Sequence, residues 1–289
     1  MTCAWSQEGR ASHSLVFNPE MRAELPEEVC ETSGLFFHGG RLWTHNDSGG
    51  KPILYGLDTT TFEIVQKLTI SNVKNKDWED VCTDGERVYV GDIGNNSGNR
   101  KDLCIYTFPL AEIPEKGNAT LEAETISFRF ADQTDFEKRK VHDFDCEAMF
   151  ATDDFLYLFS KGWETGTTRL YRLPKTSGSH VAELVNGFDS KGLVTGADYD
   201  RETGTLVIVG YVKSIWQPFV YLIYNFDDAG VNLSNHRFEM PNHLSIQTEG
   251  VCFYASGKCY ISSEKSKTFT PRVFKVDFTK WISKDWKRK

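Results

Sequence analysis

The amino-acid sequence predicts an all-β fold, a β-propeller of five four-stranded blades in a single domain that spans residues 1–289. Three observations lead to this prediction. One phrase recurs five times, its short apolar strands are joined by Gly or Asp turns, and one surplus strand lies near the N-terminus. A length of 289 residues suits one all-β domain, although two smaller domains would also fit.

Each copy of the phrase begins with an acidic or hydroxyl residue before a short apolar strand. A Gly or Asp turn, a second apolar strand, a polar loop and a third strand follow. The first strands are predicted at residues 31–37, 78–82, 146–150, 195–199 and 248–252. The second strands are predicted at residues 42–44, 88–90, 156–159, 206–209 and 259–261. The third strands are predicted at residues 52–55, 103–106, 169–172, 219–222 and 272–275.

A fourth, more variable strand completes each blade of a propeller. Candidates lie at residues 64–70, 125–130, 182–185 and 237–240, and the fifth copy lacks one because the chain ends. Residues 14–17 (SLVF) are therefore predicted to supply the missing strand and close the ring, which would leave no open edge. The alternative is a propeller of six blades, with the extra blade in residues 118–141.

Composition excludes several classes of function. A net charge of −8 argues against nucleic-acid binding, which needs a basic face. No apolar run approaches the roughly 20 residues that span a bilayer, so no membrane partner is expected. The polar N-terminus lacks the apolar core of a signal peptide, which predicts a cytoplasmic protein, or a periplasmic or secreted one if a signal peptide was removed. The sequence does not decide the oligomeric state.

In a propeller the first strand of every blade lines the central axis, so equivalent residues at the start of these strands converge. Those residues are Ser33, Glu79, Glu147, Thr195 and Glu249, called the axial ring below. Three carboxylates in a narrow channel repel one another unless a cation or protons neutralise them. An all-oxygen donor set predicts a hard ion, calcium, with magnesium as the alternative. Each side chain could instead cap backbone groups of the neighbouring blade.

The loops after the second strands form a polar rim on the face where the first strands begin. Asp47 and Asp92 come from the first two copies, and either could orient or deprotonate a water molecule. The predicted contacts to an anionic ligand are Lys161, Lys213, Lys265, Arg100 and Arg169. Trp163, Tyr211 and Trp216 lie in the same loops, where a ring could stack on them or they could pack within the protein.

The order Ser, Glu, Glu, hydroxyl, Glu resembles that of the calcium-activated nucleotidase (apyrase) family. The similar stretches are ETSGLFFHGGRLWTHNDSGG around Ser33, DWEDVCTDGERVYVGDIG around Glu79 and TEGVCF at Glu249. The resemblance covers five short islands between residues 31 and 275, and it implies a five-bladed propeller with one axial calcium ion. The phrases NDSG and WEDV also resemble uncharacterised bacterial propellers that have been likened to phytases.

These observations predict a divalent-cation-dependent hydrolase of a phosphorylated, anionic small molecule, for which nucleoside di- and triphosphates are candidates. The alternative is a non-catalytic binding module with a structural axial ion, whose mouth recognises a sugar, a peptide or a protein. Propellers host both classes, so the fold does not choose between them.

Overall fold

The structure is a computed structural model that describes residues 15–227 and 235–286. Short strands joined by tight turns dominate it, and the chain begins with β1 (Leu15–Val16) and β2 (Glu20–Glu24). The next strands are β3 (Thr32–His38), β4 (Arg41–Asn46), β5 (Ile53–Asp58), β6 (Ile64–Ile70), β7 (Trp78–Thr83), β8 (Arg87–Asp92), β9 (Cys104–Pro109), β10 (Ala119–Leu121) and β11 (Glu124–Phe130).

The second half of the chain has the same character. Its strands are β12 (Cys146–Ala151), β13 (Phe155–Ser160), β14 (Thr168–Pro174), β15 (Gly178–Phe188), β16 (Leu193–Asp200), β17 (Thr205–Val212), β18 (Gln217–Ile223), β19 (Asn235–Glu239), β20 (Thr248–Ala255), β21 (Lys258–Ser263) and β22 (Arg272–Asp277). Single 3-10 turns lie at Glu27–Val29, Leu110–Glu112 and Pro241–His243, and helix α1 (Thr279–Trp286) follows the last strand. None of the helices in the described ranges has the length and apolar character needed to cross a membrane.

The strand pairings form four-stranded antiparallel blades. Blade 1 is β3–β6, blade 2 is β7, β8, β9 and β11, blade 3 is β12–β15, blade 4 is β16–β19, and blade 5 is β20–β22 with β2. The innermost strands contact one another in the order β3, β7, β12, β16, β20 and back to β3, so they surround one axis. Blades 2 and 3 also join at their outer edges, where β11 pairs with β15 in parallel. The predicted all-β propeller fold is confirmed.

The strand that completes blade 5 differs from the prediction. β2 pairs antiparallel with β22, whereas β1 pairs in parallel with β19 at the outer edge of blade 4. Closure by residues 14–17 is therefore wrong for the described part of that segment, and residue 14 lies outside the described residues. The sequence EMRAE of β2 is polar because most of its side chains are exposed on an outer edge, where backbone pairing rather than apolar burial forms the strand.

Residues 118–141, considered above for a sixth blade, belong to blades 1 and 2. β10 pairs in parallel with β6 at the edge of blade 1, and β11 pairs antiparallel with β9 as the outer strand of blade 2.

Apolar side chains pack between neighbouring blades and hold them face to face. Between blades 1 and 2, for example, Phe36 and Trp43 share a buried cluster with Trp78, Val88 and Phe108. Large aromatic residues fill the wedge between twisted blades and exclude water from it. This packing fixes the inner strands around the axis, where the polar residues of the sequence prediction lie.

Candidate functional site

Every inner strand is irregular at its axial-ring position. The register shifts between Thr32 and Leu35, Trp78 and Asp80, Cys146 and Ala148, Val194 and Gly196, and Thr248 and Val251. A β-bulge leaves one residue outside the ladder and re-aims its side chain. The five ring residues are all buried, in agreement with their placement around the axis.

The axial cavity has a volume of about 280 Å³ and is lined by several of the predicted residues. The residues are Glu31, Thr32, Ser33, Asp47, Glu79, Asn96, Glu147, Lys161, Trp163, Tyr211, Trp216, Gln247, Glu249 and Glu264. Thr195 is not among the lining residues, and its hydroxyl donates to the Thr248 carbonyl at 2.6 Å. The Ser33 hydroxyl likewise donates to the Glu79 carbonyl at 2.5 Å. The two hydroxyls of the ring thus link neighbouring blades.

Three carboxylates meet on the side of the cavity formed by blades 1 and 2. One oxygen each from Asp47, Asp77 and Glu79 lies within 4.8 Å of the other two. An ion with calcium–oxygen bonds of about 2.3–2.6 Å can bridge ligands at this spacing. The backbone of Gly94 covers these groups, since a Cβ there would lie 2.1 Å from Glu79 Oε1 and 2.5 Å from Asp77 Oδ2. The donor set and its spacing fit a hard divalent cation.

Electrostatics in the cavity favour binding of positive charge. Burial, followed by the Asp77 carboxylate, raises the pKa of Asp47 to about 7. Burial raises the pKa of Glu249 to about 8, and burial followed by Glu147 raises that of Glu79 well above its usual value. Asp47 Oδ1 and Glu249 Oε1 are buried without a hydrogen-bond partner. Two acceptors in the cavity are therefore left for a proton, an ion or a ligand.

Lys161 reaches the axis and binds a member of the ring. Its ammonium lies 2.8 Å from Glu147 Oε2, and both side chains are only 6% exposed. Burial alone would lower the pKa of Lys161, but the surrounding carboxylates, Glu147 first, raise it well above its usual value. Lys161 lines the cavity, as predicted for a ligand contact, but as part of a buried ion pair.

Asp92, the second predicted catalytic residue, lies outside the axial cavity. Its carboxylate accepts a 2.7 Å hydrogen bond from Arg100 and lines a separate cleft with Lys74 and Lys76. Arg100 also donates to the Gly94 carbonyl at 2.7 Å. This predicted substrate-binding arginine thus positions the loop that covers the carboxylates.

The other predicted cations are not gathered at the cavity. Arg169 lies 3.3 Å from both Asp132 and Asp143, and Lys265 pairs with the exposed Glu27 at 2.5 Å. The Lys213 ammonium lies over the Trp163 ring, 4.1 Å from its centroid. The structure brings together Ser33, Glu79, Glu147, Glu249, Asp47 and Lys161 at the cavity, and the roles of all these residues stay predictions.

Aromatic side chains form the wall opposite the three carboxylates. Trp163 follows β13 of blade 3, while Tyr211 and Trp216 belong to β17 and its following turn in blade 4. Tyr211 and Trp216 stack with centroids 5.0 Å apart and an interplanar angle of 16°. Trp163 donates from Nε1 to Asp145 at 2.9 Å. All three rings line the cavity, where the sequence placed them in the rim loops.

Sequence reasoning missed Asp77, which does not belong to the repeated phrase. Asp77 lies two residues before Glu79, and alternate residues of an extended segment share a face. That spacing is the signal that could have identified Asp77. Glu264 follows β21, so the rim rule that selected Lys265 also pointed to its neighbour.

Comparisons with solved structures give only distant likenesses. A glucose dehydrogenase is 9% identical with a TM-score of 0.49, over 88% of this chain and 98% of that chain. The putative TolB from Agrobacterium tumefaciens is 13% identical with a TM-score of 0.42, over 85% and 76%. The Pan2 WD40 domain of Neurospora crassa is 9% identical with a TM-score of 0.41, over 92% and 99%. These alignments do not bear on function, and the sequence matches no protein-family model and no curated protein.

Proposed function

We propose that the protein is a divalent-cation-dependent hydrolase of a phosphorylated small molecule. The observation that carries this proposal is the convergence of Asp47, Asp77 and Glu79, whose oxygens lie within 4.8 Å of one another. Calcium is the proposed ion, because the donors are all oxygen and because the axial ring resembles that of calcium-activated nucleotidases. The same resemblance makes nucleoside di- and triphosphates candidate substrates.

The charge of the cavity explains why an anionic substrate would need the ion. Carboxylates outnumber Lys161 among the lining residues, so a phosphate alone would meet net negative charge. A divalent ion bound at Asp47, Asp77 and Glu79 would supply positive charge that neutralises phosphoryl oxygens and polarises the P–O bond. Lys161, on the other side of the cavity, would contribute the second positive charge.

Two carboxyl groups have the environments required for proton transfer. Asp47 Oδ1, which is buried without a hydrogen-bond partner, would accept the proton of the attacking water as the water oxygen bonds to phosphorus. Glu249, with a pKa of about 8, holds a proton at neutral pH and donates it to the leaving oxygen as the P–O bond breaks. The products are inorganic phosphate and an alcohol, or the shortened phosphate if the substrate is a di- or triphosphate.

The test is phosphate release from a panel of nucleotides and phosphate esters with calcium, with magnesium and with EDTA. We expect turnover with calcium and none with EDTA. Asp47→Asn keeps the shape of the side chain and should lower kcat at least about 100-fold, with a smaller effect on KM. Absence of phosphate release from every substrate with either ion would contradict the proposal.

The aromatic wall favours one second candidate, the non-catalytic binding module. Trp216 is 40% exposed and strained at a φ of 49°, and it borders the exposed residues Ile215 and Leu244. Exposed rings beside a polar cavity are typical of sugar and peptide recognition. Binding of a sugar or peptide that is lost in Trp216→Ala, without phosphate release from any ester, would favour this candidate.

A further inference from the structure

Lys161 is held in a fixed position at the axis. Its backbone N–H donates to the Asp145 carbonyl at 2.7 Å, and its ammonium binds Glu147. The ammonium also lies 5.3 Å from the ring centroid of Trp163 and 5.6 Å from that of Tyr211. Cation–π contacts and a desolvated carboxylate together restrain an ammonium that an exposed lysine would leave mobile.

A second acidic group faces this ammonium from blade 5. Glu249 is 6% exposed and lines the cavity, and its Oε1 has no hydrogen-bond partner among the described residues. Both Glu147 and Glu249 raise the pKa of Lys161. A buried acceptor that lacks a partner reduces the stability of the fold. Glu147 and Glu249 together offer more carboxylate oxygens than the one ammonium of Lys161 satisfies.

The axial carboxylates therefore form two groups. Asp47, Asp77 and Glu79 converge without an ion pair to any described lysine or arginine, whereas Glu147 carries the ammonium of Lys161. Burial raises the pKa of Asp77, and the nearby Arg100 opposes that shift. In this arrangement the ammonium binds Glu147 Oε2 and competes for that oxygen with any ion that the ring residues would share.

We propose that Lys161 is a built-in cation that occupies a latent second divalent-ion site, formed by Glu147 and Glu249. The wild-type protein then binds one ion, on the side of blades 1 and 2, and removal of the ammonium opens the second site. The first ion rests on the proposed function, whereas the latent site does not. Oxygen donors on a roomy axis make calcium the ion suited to both places.

The experiment counts calcium bound per chain. Wild type, Lys161→Met and Lys161→Arg are purified in calcium and passed through gel filtration, and bound calcium is measured by atomic emission and by titration calorimetry. We expect one ion in wild type and in Lys161→Arg, and two in Lys161→Met. The uncharged Lys161→Gln, which keeps a hydrogen-bond donor near Glu147, is the second variant if Lys161→Met does not fold.

The control removes the partner carboxylate as well. Glu147→Gln combined with Lys161→Met leaves neither the ammonium nor the buried charge, so it should bind the same number of ions as wild type. No ion in wild type with one in Lys161→Met would contradict the proposed function but support the latent site. Equal numbers in wild type, Lys161→Met and Lys161→Gln, or two ions in wild type, would overturn the inference.

Discussion

Asp47 and Asp92 lie at the ends of second strands in neighbouring blades, one position apart in the repeat. Thr32 and Trp78 precede the axial-ring residues of blades 1 and 2, and their ladder partners are Asn46 and Asp92. Arg100 binds Asp92 at 2.7 Å and leaves it 2% exposed. Asp47 lies beside Asp77 and keeps a buried oxygen without a partner. A shift of one position in the repeat thus separates a structural aspartate in blade 2 from a candidate for chemistry in blade 1.

The first residue-scale prediction concerns Asp77. Asp77→Asn removes one of three charges that can bind an ion, so calcium affinity should fall at least about ten-fold, which corresponds to about 1.4 kcal/mol. The matched control is Asp102→Asn, which removes an exposed carboxylate that pairs with Lys76 and Arg100 outside the axial cavity. Titration calorimetry measures both, and equal affinities would contradict the proposed ligand set.

The second residue-scale prediction concerns pH and Asp198, which accepts a 2.8 Å hydrogen bond from the Phe253 N–H. Burial raises the pKa of Asp198 to about 6. Because this pKa is raised in the folded state, the contribution of Asp198 to the free energy of unfolding is fully present below its unfolded pKa of about 3.9. That contribution is lost as the pH rises through about 6. The free energy of unfolding of Asp198→Asn, relative to that of wild type, should therefore rise by about 1–2 kcal/mol from pH 4 to pH 8. This figure is discounted for the partial exposure of Asp198.

Urea unfolding at a series of pH values measures that difference. Asp154→Asn, at an exposed position, is the matched control. A stability difference for Asp198→Asn that stays constant over the whole pH range would contradict the assignment of a buried, partly protonated carboxyl.

The repeated phrase located the axial carboxylates but not their partners. Glu79, Glu147 and Glu249 occupy equivalent repeat positions, so strand periodicity alone placed them together. The contacts of Asp77 and Lys161 depend on how the loops turn toward the axis. A single sequence does not contain that information, because a loop's path is set by the packing of the blades beneath it.

Among the elements, three of the five inner strands are tied to one another by a buried side chain. The Asp80 carboxylate accepts hydrogen bonds from the N–H of Met149 at 2.8 Å and from that of Ala197 at 3.3 Å. It thereby connects the inner strands of blades 2, 3 and 4. Gly34 makes room for this arrangement, since a Cβ there would lie 2.6 Å from Asp80 Oδ1 and 2.3 Å from the Val81 nitrogen.

Loss of this tie should destabilise the whole ring. Asp80→Ala removes the acceptor of three buried N–H groups, those of Val81, Met149 and Ala197. Each unpaired group costs about 1–3 kcal/mol, so we expect a loss of about 3 kcal/mol or more. Asp80→Asn keeps an acceptor oxygen, and because burial raises the pKa of Asp80 well above its usual value, the neutral amide should cost less than half as much. Urea midpoints of the two variants test this, and equal losses would show that the acceptor is unimportant.

The strands that the sequence predicted well share a pattern of apolar burial. The proposed fourth strand of blade 1 coincides with β6 (Ile64–Ile70), whose side chains alternate between the core and the solvent. β2 was missed because its sequence is polar and its partner, β22, is more than 240 residues away in the chain. Pairing over such a distance is decided by the closure of the ring and not by local propensity.

At the scale of the whole molecule, the repeat builds a nearly symmetric ring whose centre is asymmetric. Among the charged residues that line the cavity, blades 1, 2 and 5 contribute only acids, whereas blade 3 contributes Glu147 together with Lys161. Blades 3 and 4 contribute the aromatic wall. This asymmetry arises at the axial-ring positions and in the loops after the second strands, where the five blades differ.

Closure of the ring by β2 leads to the last prediction. Ala23 and Glu24 are in register with Val273 and Arg272, and successive N–H groups of a regular strand point to opposite edges. One of Ala23→Pro and Glu24→Pro must therefore remove a hydrogen bond to β22, at a cost of about 1–3 kcal/mol. Val16→Pro is the control, because the Phe17 N–H donates to the Glu239 carbonyl at 2.9 Å and the neighbouring Val16 N–H points away. We expect a lowered urea midpoint and faster proteolysis for one variant of the pair, with Val16→Pro within about 0.5 kcal/mol of wild type. Wild-type stability in both Ala23→Pro and Glu24→Pro would mean that β2 does not hold the ring closed.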